Sequence, residues 1–251
     1  MAQTMDRGFL SGNSNLFVKQ TRKGCFQEMM GCEANTEFKI ATLDAKKTDI
    51  YYATEDTTCC MRFFCTNNRP WTITVSDGGS KGGKVLATAE RPFRCPLGPC
   101  KCCCLQEVVV KDGGGALTGS LTEDCWVCVP SLKMKDAAGA HKYNFVQPTC
   151  CGGMCVNVCA EGCCTCRIPF YIFPPGQSTK GQEKGRVVKV FGGLATELFT
   201  DADKFEVLFP DGEDSATKTT LLGGVFLLNQ LFFESDKESA GGGCSLLSMI
   251  F

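Results

Sequence analysis

The sequence predicts a mostly β protein, an antiparallel barrel or sandwich with one strongly apolar helix near its C-terminus. Three observations support this prediction. The apolar runs are short and rich in β-branched and aromatic residues. Turn-forming residues separate these runs, as at residues 76–79, 111–114 and 174–176. One longer apolar stretch, residues 221–233, breaks the β pattern.

Four segments show the succession strand, turn, strand that is typical of hairpins. They cover residues 38–56, 69–93, 104–146 and 167–191. Repeated hairpins of this kind predict an antiparallel sheet that closes on itself or packs on a second sheet.

A weak internal repeat favours one closed domain made of two similar halves. The Cys-Cys pairs at residues 59–60 and 150–151 stand 91 residues apart, and each precedes a strand that begins with proline and an aromatic residue. Chance similarity among hairpins that need the same turn residues explains the repeat equally well.

The apolar stretch predicts a helix over residues 218–235 that is buried in protein. It is apolar on nearly all sides, with interruptions at Gly223-Gly224 and at Asn229-Gln230. The thirteen residues of this stretch extend about 20 Å as a helix, against about 30 Å of bilayer hydrocarbon. A barrel lumen would bury such a helix and offer partners to Asn229 and Gln230. Insertion into a membrane is the alternative.

Composition narrows the classes of partner and of chemistry. The 26 basic and 27 acidic residues give a net charge of −1, so we predict no nucleic-acid binding. The single histidine, His141, and the lack of a nucleophile–base pair predict that the chain is not an enzyme. The first twenty residues lack the apolar run of a signal peptide, so we expect the chain to remain in the reducing cytosol.

Several motifs, in order and spacing, resemble the phospholipid scramblase family. The motifs are GCEANTEFKI, YYATEDTTCCMR, RPW, ERPFRC, CCCLQEVVV, TDADKFEVLFP and LLGG.FLLNQLFFES, with Val225 at the dot. The resemblance covers about residues 17–235, which leaves 1–16 as a short N-terminal segment and 236–251 as a flexible tail. It implies a fold similar to the tubby C-terminal domain, a single closed antiparallel barrel around the hydrophobic helix 218–235.

The resemblance also implies a function at a membrane. It implies calcium-dependent, ATP-independent movement of phospholipids between leaflets in both directions, at the cytoplasmic face of the plasma membrane. A headgroup must cross an apolar layer for this, and one short helix offers it no polar path, so lipid movement would need a homo-oligomer or a locally thinned bilayer. The alternative is a lipid-anchored, tubby-like binding or adaptor module that moves no lipid.

The calcium segment that is proposed for the family begins with the Asp-Ala-Asp found here at residues 201–203. In an EF-hand alignment Asp201 and Asp203 stand at positions 1 and 3, and Phe205, Val207 and Phe209 stand at positions 5, 7 and 9. The resemblance therefore implies a low-affinity calcium site formed by these five residues.

The same stretch also predicts a β-strand. Apolar residues 205, 207 and 209 alternate with Lys204 and Glu206, which is the period of a strand. Position 12 of the calcium alignment is Gly212, where a bidentate glutamate is expected, and the nearby acids are Asp211, Glu213 and Asp214. Two interpretations stay open, a weak calcium site and a turn before a strand that faces the core.

A cysteine cluster stands where the family has cysteines associated with palmitoylation. It comprises Cys95, Cys100, Cys102, Cys103 and Cys104, and we predict acylation at the last four. Two or more acyl chains anchor a protein stably, because each buried CH₂ contributes about 0.8 kcal/mol.

A second cysteine-rich segment, residues 150–166, contains Cys-x3-Cys spacings. Zinc or an iron–sulfur cluster could use such spacings, and a cysteine-rich hairpin with small residues is the other explanation.

Overall fold

The structure of the chain is a computed structural model. In the part of the chain that it describes, twelve antiparallel strands close into a barrel. The described residues are 9–10, 15–21, 36–45, 48–58, 61, 68–94, 104–125, 130–147, 167–179, 181–190 and 203–233. The strands are β1 (Asn15–Thr21), β2 (Glu37–Thr42), β3 (Asp49–Asp56), β4 (Trp71–Asp77), β5 (Val85–Arg91), β6 (Glu107–Asp112), β7 (Leu117–Glu123), β8 (Ser131–Asp136), β9 (His141–Val146), β10 (Arg167–Phe173), β11 (Gly185–Val190) and β12 (Lys204–Leu208). They are followed by helix α1 (Ser215–Leu228) and a π-helical turn (Asn229–Phe233).

Each strand pairs with its neighbour in sequence, and β12 pairs with β1 to close the ring. The predicted mostly β fold and closed antiparallel barrel are therefore confirmed. Side chains alternate between the core and the outer face, as in β4, where Trp71, Ile73 and Val75 are buried. Closure leaves no unpaired edge strand in this sheet.

The hairpin turns occupy the predicted places. Gly78, Gly115 and Gly176 adopt positive φ values of 83°, 85° and 78°. This conformation costs glycine little and strains other residues, which explains why the turns are glycine-rich.

The two copies of the proposed internal repeat lie on opposite sides of the ring. The first copy forms β2 to β5 and the second forms β8 to β11. Each strand of one copy is six places from its counterpart in a ring of twelve. Two similar half-sheets that close on each other would have this arrangement.

The two ends of the barrel differ in the length of their connections. Short turns join β2 to β3, β4 to β5, β6 to β7, β8 to β9 and β10 to β11 at one end, which we call the turn end. Six connections join strands at the other end, which we call the loop end, and five of them are longer than any connection at the turn end; they comprise residues 22–36, 57–70, 92–106, 124–130, 147–166 and 191–203.

The helix runs through the barrel from the turn end to the loop end. It begins at Ser215, three residues before the predicted start, because Asp214 caps it by accepting a hydrogen bond of 2.8 Å from the Thr217 amide. Every residue from Thr217 to Leu228 is buried, so the helix has no solvent-facing side over this length.

Contacts with strands around the ring show that the helix fills the lumen. Helical Phe226 packs against Phe38 of β2 at 5.0 Å between ring centroids, and Phe233 packs against Phe205 of β12 at 5.7 Å. A Cβ built on Gly223 would lie 2.4 Å from Val110 Cγ2 of β6, so the helix approaches this strand closely. Among the described residues, no helix combines the length and the apolarity that crossing a membrane requires.

The barrel begins slightly before the predicted boundary at residue 17. Strand β1 starts at Asn15, and two residues of the predicted N-terminal segment pack on the barrel. Leu10 is 1% exposed, and Phe9 meets Tyr51 edge to face at 4.9 Å between centroids. Because Ser215 Oγ donates a hydrogen bond to the Phe9 carbonyl, these residues cover the turn end beside the start of the helix.

Candidate functional site at the loop end

The stretch proposed for calcium forms the last strand of the barrel. Strand β12 places Phe205 and Val207 in the core, at 1% and 0% exposure, and Phe209 is buried just after it. The strand lies between β1 and β11, and residues 204–208 are in register with both. Backbone groups of Phe205 and Val207 therefore lie within the hydrogen-bonded ladders of the sheet.

Asp203 is a buried member of an ion pair at the loop end. Its Oδ1 lies 3.2 Å from Lys189 Nζ of β11, and both side chains are 8% exposed. Its carbonyl accepts a hydrogen bond of 2.8 Å from the Gln20 amide. The Lys189 ammonium also stands 4.2 Å from the centroid of the Phe233 ring, so the pair joins the sheet to the end of the helix.

Calcium prefers six to eight oxygen ligands in a flexible shell. The described part of the chain contains no group of three or more acidic, histidine or cysteine side chains that could hold a metal. Asp203 adjoins an ammonium, which opposes a second cation, and the Phe205 and Val207 side chains offer no oxygen. The described residues therefore do not fit a calcium loop by themselves. Asp201 lies outside them, and calcium binding at Asp201 and Asp203 stays a prediction.

The acids that follow β12 hold the helix at the turn end. Glu213 accepts hydrogen bonds of 2.5 Å from Lys142 Nζ and 2.6 Å from the Tyr143 hydroxyl. Burial tends to raise the pKa of Glu213, but these bonds outweigh burial and lower it. Hydrogen bonds from Thr217 lower the pKa of Asp214. Burial, and donation to Glu213, raise the pKa of Tyr143.

A belt of polar side chains lines the inside of the barrel at the loop end. The polar belt continues the inward-facing alternation of the strands, and each of its members is less than a tenth exposed. Its members are Gln20, Glu55, Arg69, Arg91, Gln106, Glu123, Gln147, Lys189 and Asp203.

Hydrogen bonds connect much of the polar belt. Arg69 makes a two-point ion pair with Glu55, with distances of 2.9 Å from Nε and 3.2 Å from Nη2. Arg91 Nε donates to the side-chain oxygen Oε1 of Gln106 at 3.2 Å, and the backbone amide of Gln106 donates to Glu123 Oε2 at 3.4 Å. The indole of Trp71 donates to Gln230 Oε1 on the π-helical turn, so Gln230 has the expected polar partner near the mouth. The expectation is met only in part, because Asn229 Oδ1 and Gln230 Nε2 are buried without a hydrogen-bond partner among the described residues.

All twenty cysteines lie in segments that leave the loop end. Nineteen of them fall in the loop-end connections, and Cys244 follows the helix, whose last turn lies at the same end. Cys104 is half-buried and Cys125 is exposed. The other predicted acylation residues, Cys100, Cys102 and Cys103, lie outside the described residues, as does the segment 150–166. Acylation of Cys104 and of these three stays a prediction.

The family model described as Scramblase matches residues 3–235 of this chain. The chain belongs to the scramblase family.

Several curated relatives of this scramblase-family chain are similar over the same region. It is 32% identical to phospholipid scramblase 1 of Mus musculus, over 82% of this chain and 57% of the relative. It is 32% identical to phospholipid scramblase 2 of Bos taurus, over 82% and 64%. It is 26% identical to phospholipid scramblase family member 5 of Homo sapiens, over 82% and 69%. The chain thus spans about three fifths of the length of the first two relatives. No solved structure matches it significantly.

Sequence reasoning missed the polar belt of this scramblase-family barrel. A usable signal was present, because Glu55, Arg91 and Glu123 stand two residues beyond a buried small or apolar residue of the same strand. Arg69 and Gln106 precede their strands, so only the observed pairing showed that they face inward beside these residues.

Proposed function

We propose that this scramblase-family chain promotes ATP-independent movement of phospholipids between the two leaflets of a membrane, in both directions and with calcium as a stimulant. The activity is lipid movement and not a chemical conversion. The match to the scramblase family model over residues 3–235 supports it best, together with relatives that are named phospholipid scramblases.

We further propose that the loop end faces the membrane. Acyl chains on Cys100, Cys102, Cys103 and Cys104 would all attach to the connection between β5 and β6, which leaves this end. Several chains on one short segment give stable anchoring, whereas one gives only marginal binding. In this arrangement the barrel stands on the cytoplasmic face of the plasma membrane.

The position of the helix constrains how lipid could move. The helix that would be the obvious membrane element is enclosed by the barrel from Thr217 to Leu228. Passage of a headgroup through hydrocarbon is costly without a polar path. Lipid movement would then require a homo-oligomer around such a path, or local thinning of the bilayer beneath the loop end.

Calcium is the proposed cofactor, with Asp201 and Asp203 as its carboxylate ligands; residues 205, 207 and 209 belong to the proposed calcium segment by the family alignment alone. The pair between Asp203 and Lys189 makes the expected affinity low. This part of the proposal rests on the family resemblance of the Asp-Ala-Asp stretch.

Leaflet exchange of labelled phospholipid in vesicles tests the activity. The purified chain would be compared with Asp201→Ala/Asp203→Ala, with and without millimolar calcium. Asp211→Ala is the matched control, since Asp211 is an exposed acid in the turn after the same strand. We expect calcium-stimulated exchange for the wild type and the control, and loss of the stimulation in the double variant. Absence of exchange from the wild type under both conditions would refute the activity.

A lipid-anchored adaptor of tubby-like fold is the second candidate. The enclosed helix favours it, because the residues from Thr217 to Leu228 are buried inside the barrel. An adaptor would bind vesicles through its acyl chains and produce no exchange. Vesicle flotation that is run beside the exchange assay distinguishes the two functions.

A further inference from the structure

An open groove crosses the outer face of the barrel near the loop end, over strands β3 to β6. Its volume is about 590 Å³. Its floor contains a row of directly opposed residues, in which Asp56 faces Thr72, Thr72 faces Glu90, and Glu90 faces Val109. Lys111, two residues beyond Val109 on β6, completes the floor.

The charges of the groove are of both signs and are accessible. Lys111 Nζ lies 2.8 and 2.7 Å from the two oxygens of Glu90, and the side chains are 35% and 43% exposed. An ion pair this exposed contributes little to stability, so a ligand can compete for either partner. Asp56 is exposed and makes no ion pair with any residue that the structure describes.

Apolar side chains form one side of the groove. Met61, Pro70 and Pro92 line it, and Met61 is 38% exposed. Phe93, which follows Pro92, is 51% exposed, an unusual exposure for so large an apolar residue. The connection that begins at Pro92 and Phe93 leads toward Cys104 at the loop end.

We propose that this groove binds the zwitterionic headgroup of a phospholipid. Lys111 would hold the phosphate, and Glu90 and Asp56 would hold the ammonium. The inference rests on the proposed function in taking a phospholipid as the ligand, and it deepens that function by naming the headgroup class and its site.

The geometry of the row fits a dipolar ligand. Neighbouring strands are roughly 4.8 Å apart, so Glu90 and Asp56 stand about 10 Å from each other with Thr72 between them. An ammonium above Thr72 is flanked by both carboxylates, while the phosphate of the same headgroup remains beside Lys111. The two carboxylates would repel a purely anionic headgroup, and Lys111 would contribute nothing to the binding of a simple cation.

The apolar side of the groove matches the apolar part of a phospholipid. The glycerol and the first part of the acyl chains would lie against Met61 and Pro92, which line the groove. This placement points the chains toward the loop end, the end that we propose faces the bilayer.

Binding is measured on the full chain with monomeric dihexanoylphosphatidylcholine as the probe, by calorimetric titration. Lys111→Glu is the test variant. Lys133→Glu is the matched control, because Lys133 also forms an exposed ion pair on the outer face, 2.9 Å from Asp124, with side chains 45% and 34% exposed. A further variant, Lys111→Glu/Glu90→Lys, restores an ion pair in the groove and tests that the fold survives charge reversal.

We expect at least a tenfold loss of affinity in Lys111→Glu and no change in Lys133→Glu. Dihexanoylphosphatidic acid, which lacks the ammonium, is expected to bind at least several-fold more weakly than the phosphatidylcholine. Equal affinity in the two lysine variants would overturn the proposal. So would equal affinity for the two lipids, or binding that responds to Met61 substitution alone, which would indicate an acyl chain as the occupant.

The exchange assay separates this inference from the proposed function. If the wild-type chain moves lipid but the probe does not bind in the groove, the groove proposal fails and the function stands. If the probe binds as expected but no lipid moves in vesicles, the groove proposal stands and the scramblase function fails.

Discussion

Substitution of Gly223 by alanine tests whether the helix occupies the lumen in solution. A Cβ built on Gly223 would lie 2.4 Å from Val110 Cγ2, far inside van der Waals contact. Val110 is 1% exposed, is paired on both sides through β5 and β7, and has a stiff β-branched side chain. Its methyl group therefore has little room to move away.

Two opposing terms set the expected change in the free energy of unfolding. Alanine is favoured over glycine in a helix by about 1 kcal/mol. Overpacking of a close-packed core costs about 1–3 kcal/mol. Because the contact at 2.4 Å is severe, we expect the overpacking term to dominate and Gly223→Ala to lose about 1–2 kcal/mol. The melting temperature should fall by about 2–4 °C for each kcal/mol of stability that is lost.

Urea unfolding followed by tryptophan fluorescence measures the change. Val110→Ala should relieve the clash, so that the double variant is more stable than the sum of the single effects by about 1–2 kcal/mol. Gly224→Ala should cost less than Gly223→Ala, since its closest contact, at 2.6 Å, is the flexible end of Leu121. A rise in stability of about 1 kcal/mol in Gly223→Ala, as in an exposed helix, would refute an enclosed helix.

Three further predictions concern the ends of the barrel. Asp214→Ala removes the cap of the helix and should lower the free energy of unfolding by about 1 kcal/mol in urea titrations; an unchanged midpoint would argue against the cap. The folded-state pKa of Glu213 lies below its unfolded value, so its contribution is present above about pH 4.3 and is lost as the pH falls further. In Glu213→Gln the free energy of unfolding should therefore fall less steeply on acidification than in the wild type. A curve of stability against pH that runs parallel to that of the wild type would contradict this. Arg69→Ala leaves Glu55 buried without the two-point ion pair and should cost about 3–5 kcal/mol in thermal or urea unfolding, whereas a cost below 1 kcal/mol would indicate a solvated pair.

Much of the barrel could be predicted because hairpins are local. The alternation in residues 71–77 and 85–91 and the glycines between them determine one hairpin without reference to the rest of the chain. Closure of the ring depends on the pairing of β1 with β12, which are separated by most of the sequence. Local periodicity carries no information about that pairing, so the strand pattern did not distinguish a closed barrel from a sandwich.

Local sequence patterns predicted some features of the candidate site, and other features depended on contacts between strands. Alternation predicted correctly that residues 205 and 207 face the core. The ion pair between Asp203 and Lys189 joins two strands and was visible only after their register was known. The start of the helix was predicted three residues late, because apolar periodicity was followed and the capping signal at Asp214 was not.

The grouping of the cysteines at one end shows how topology adds to sequence. Their clusters are spread from Cys25 to Cys244, with no common spacing. An antiparallel ring sends alternate connections to opposite ends, and nineteen of the twenty cysteines fall in one of these two sets of connections. This separation supports the proposal that one end of the barrel meets the membrane.

The depth of the two barrel ends in a bilayer tests the central claim most directly. A fluorescent non-natural amino acid would replace Phe93, exposed at the loop end, or Ala138, exposed in the turn between β8 and β9. Each labelled chain would be bound to vesicles that carry quenchers on lipid headgroups. The proposed orientation predicts strong quenching at position 93 and little at position 138. Equal quenching, or stronger quenching at position 138, would contradict a membrane-facing loop end.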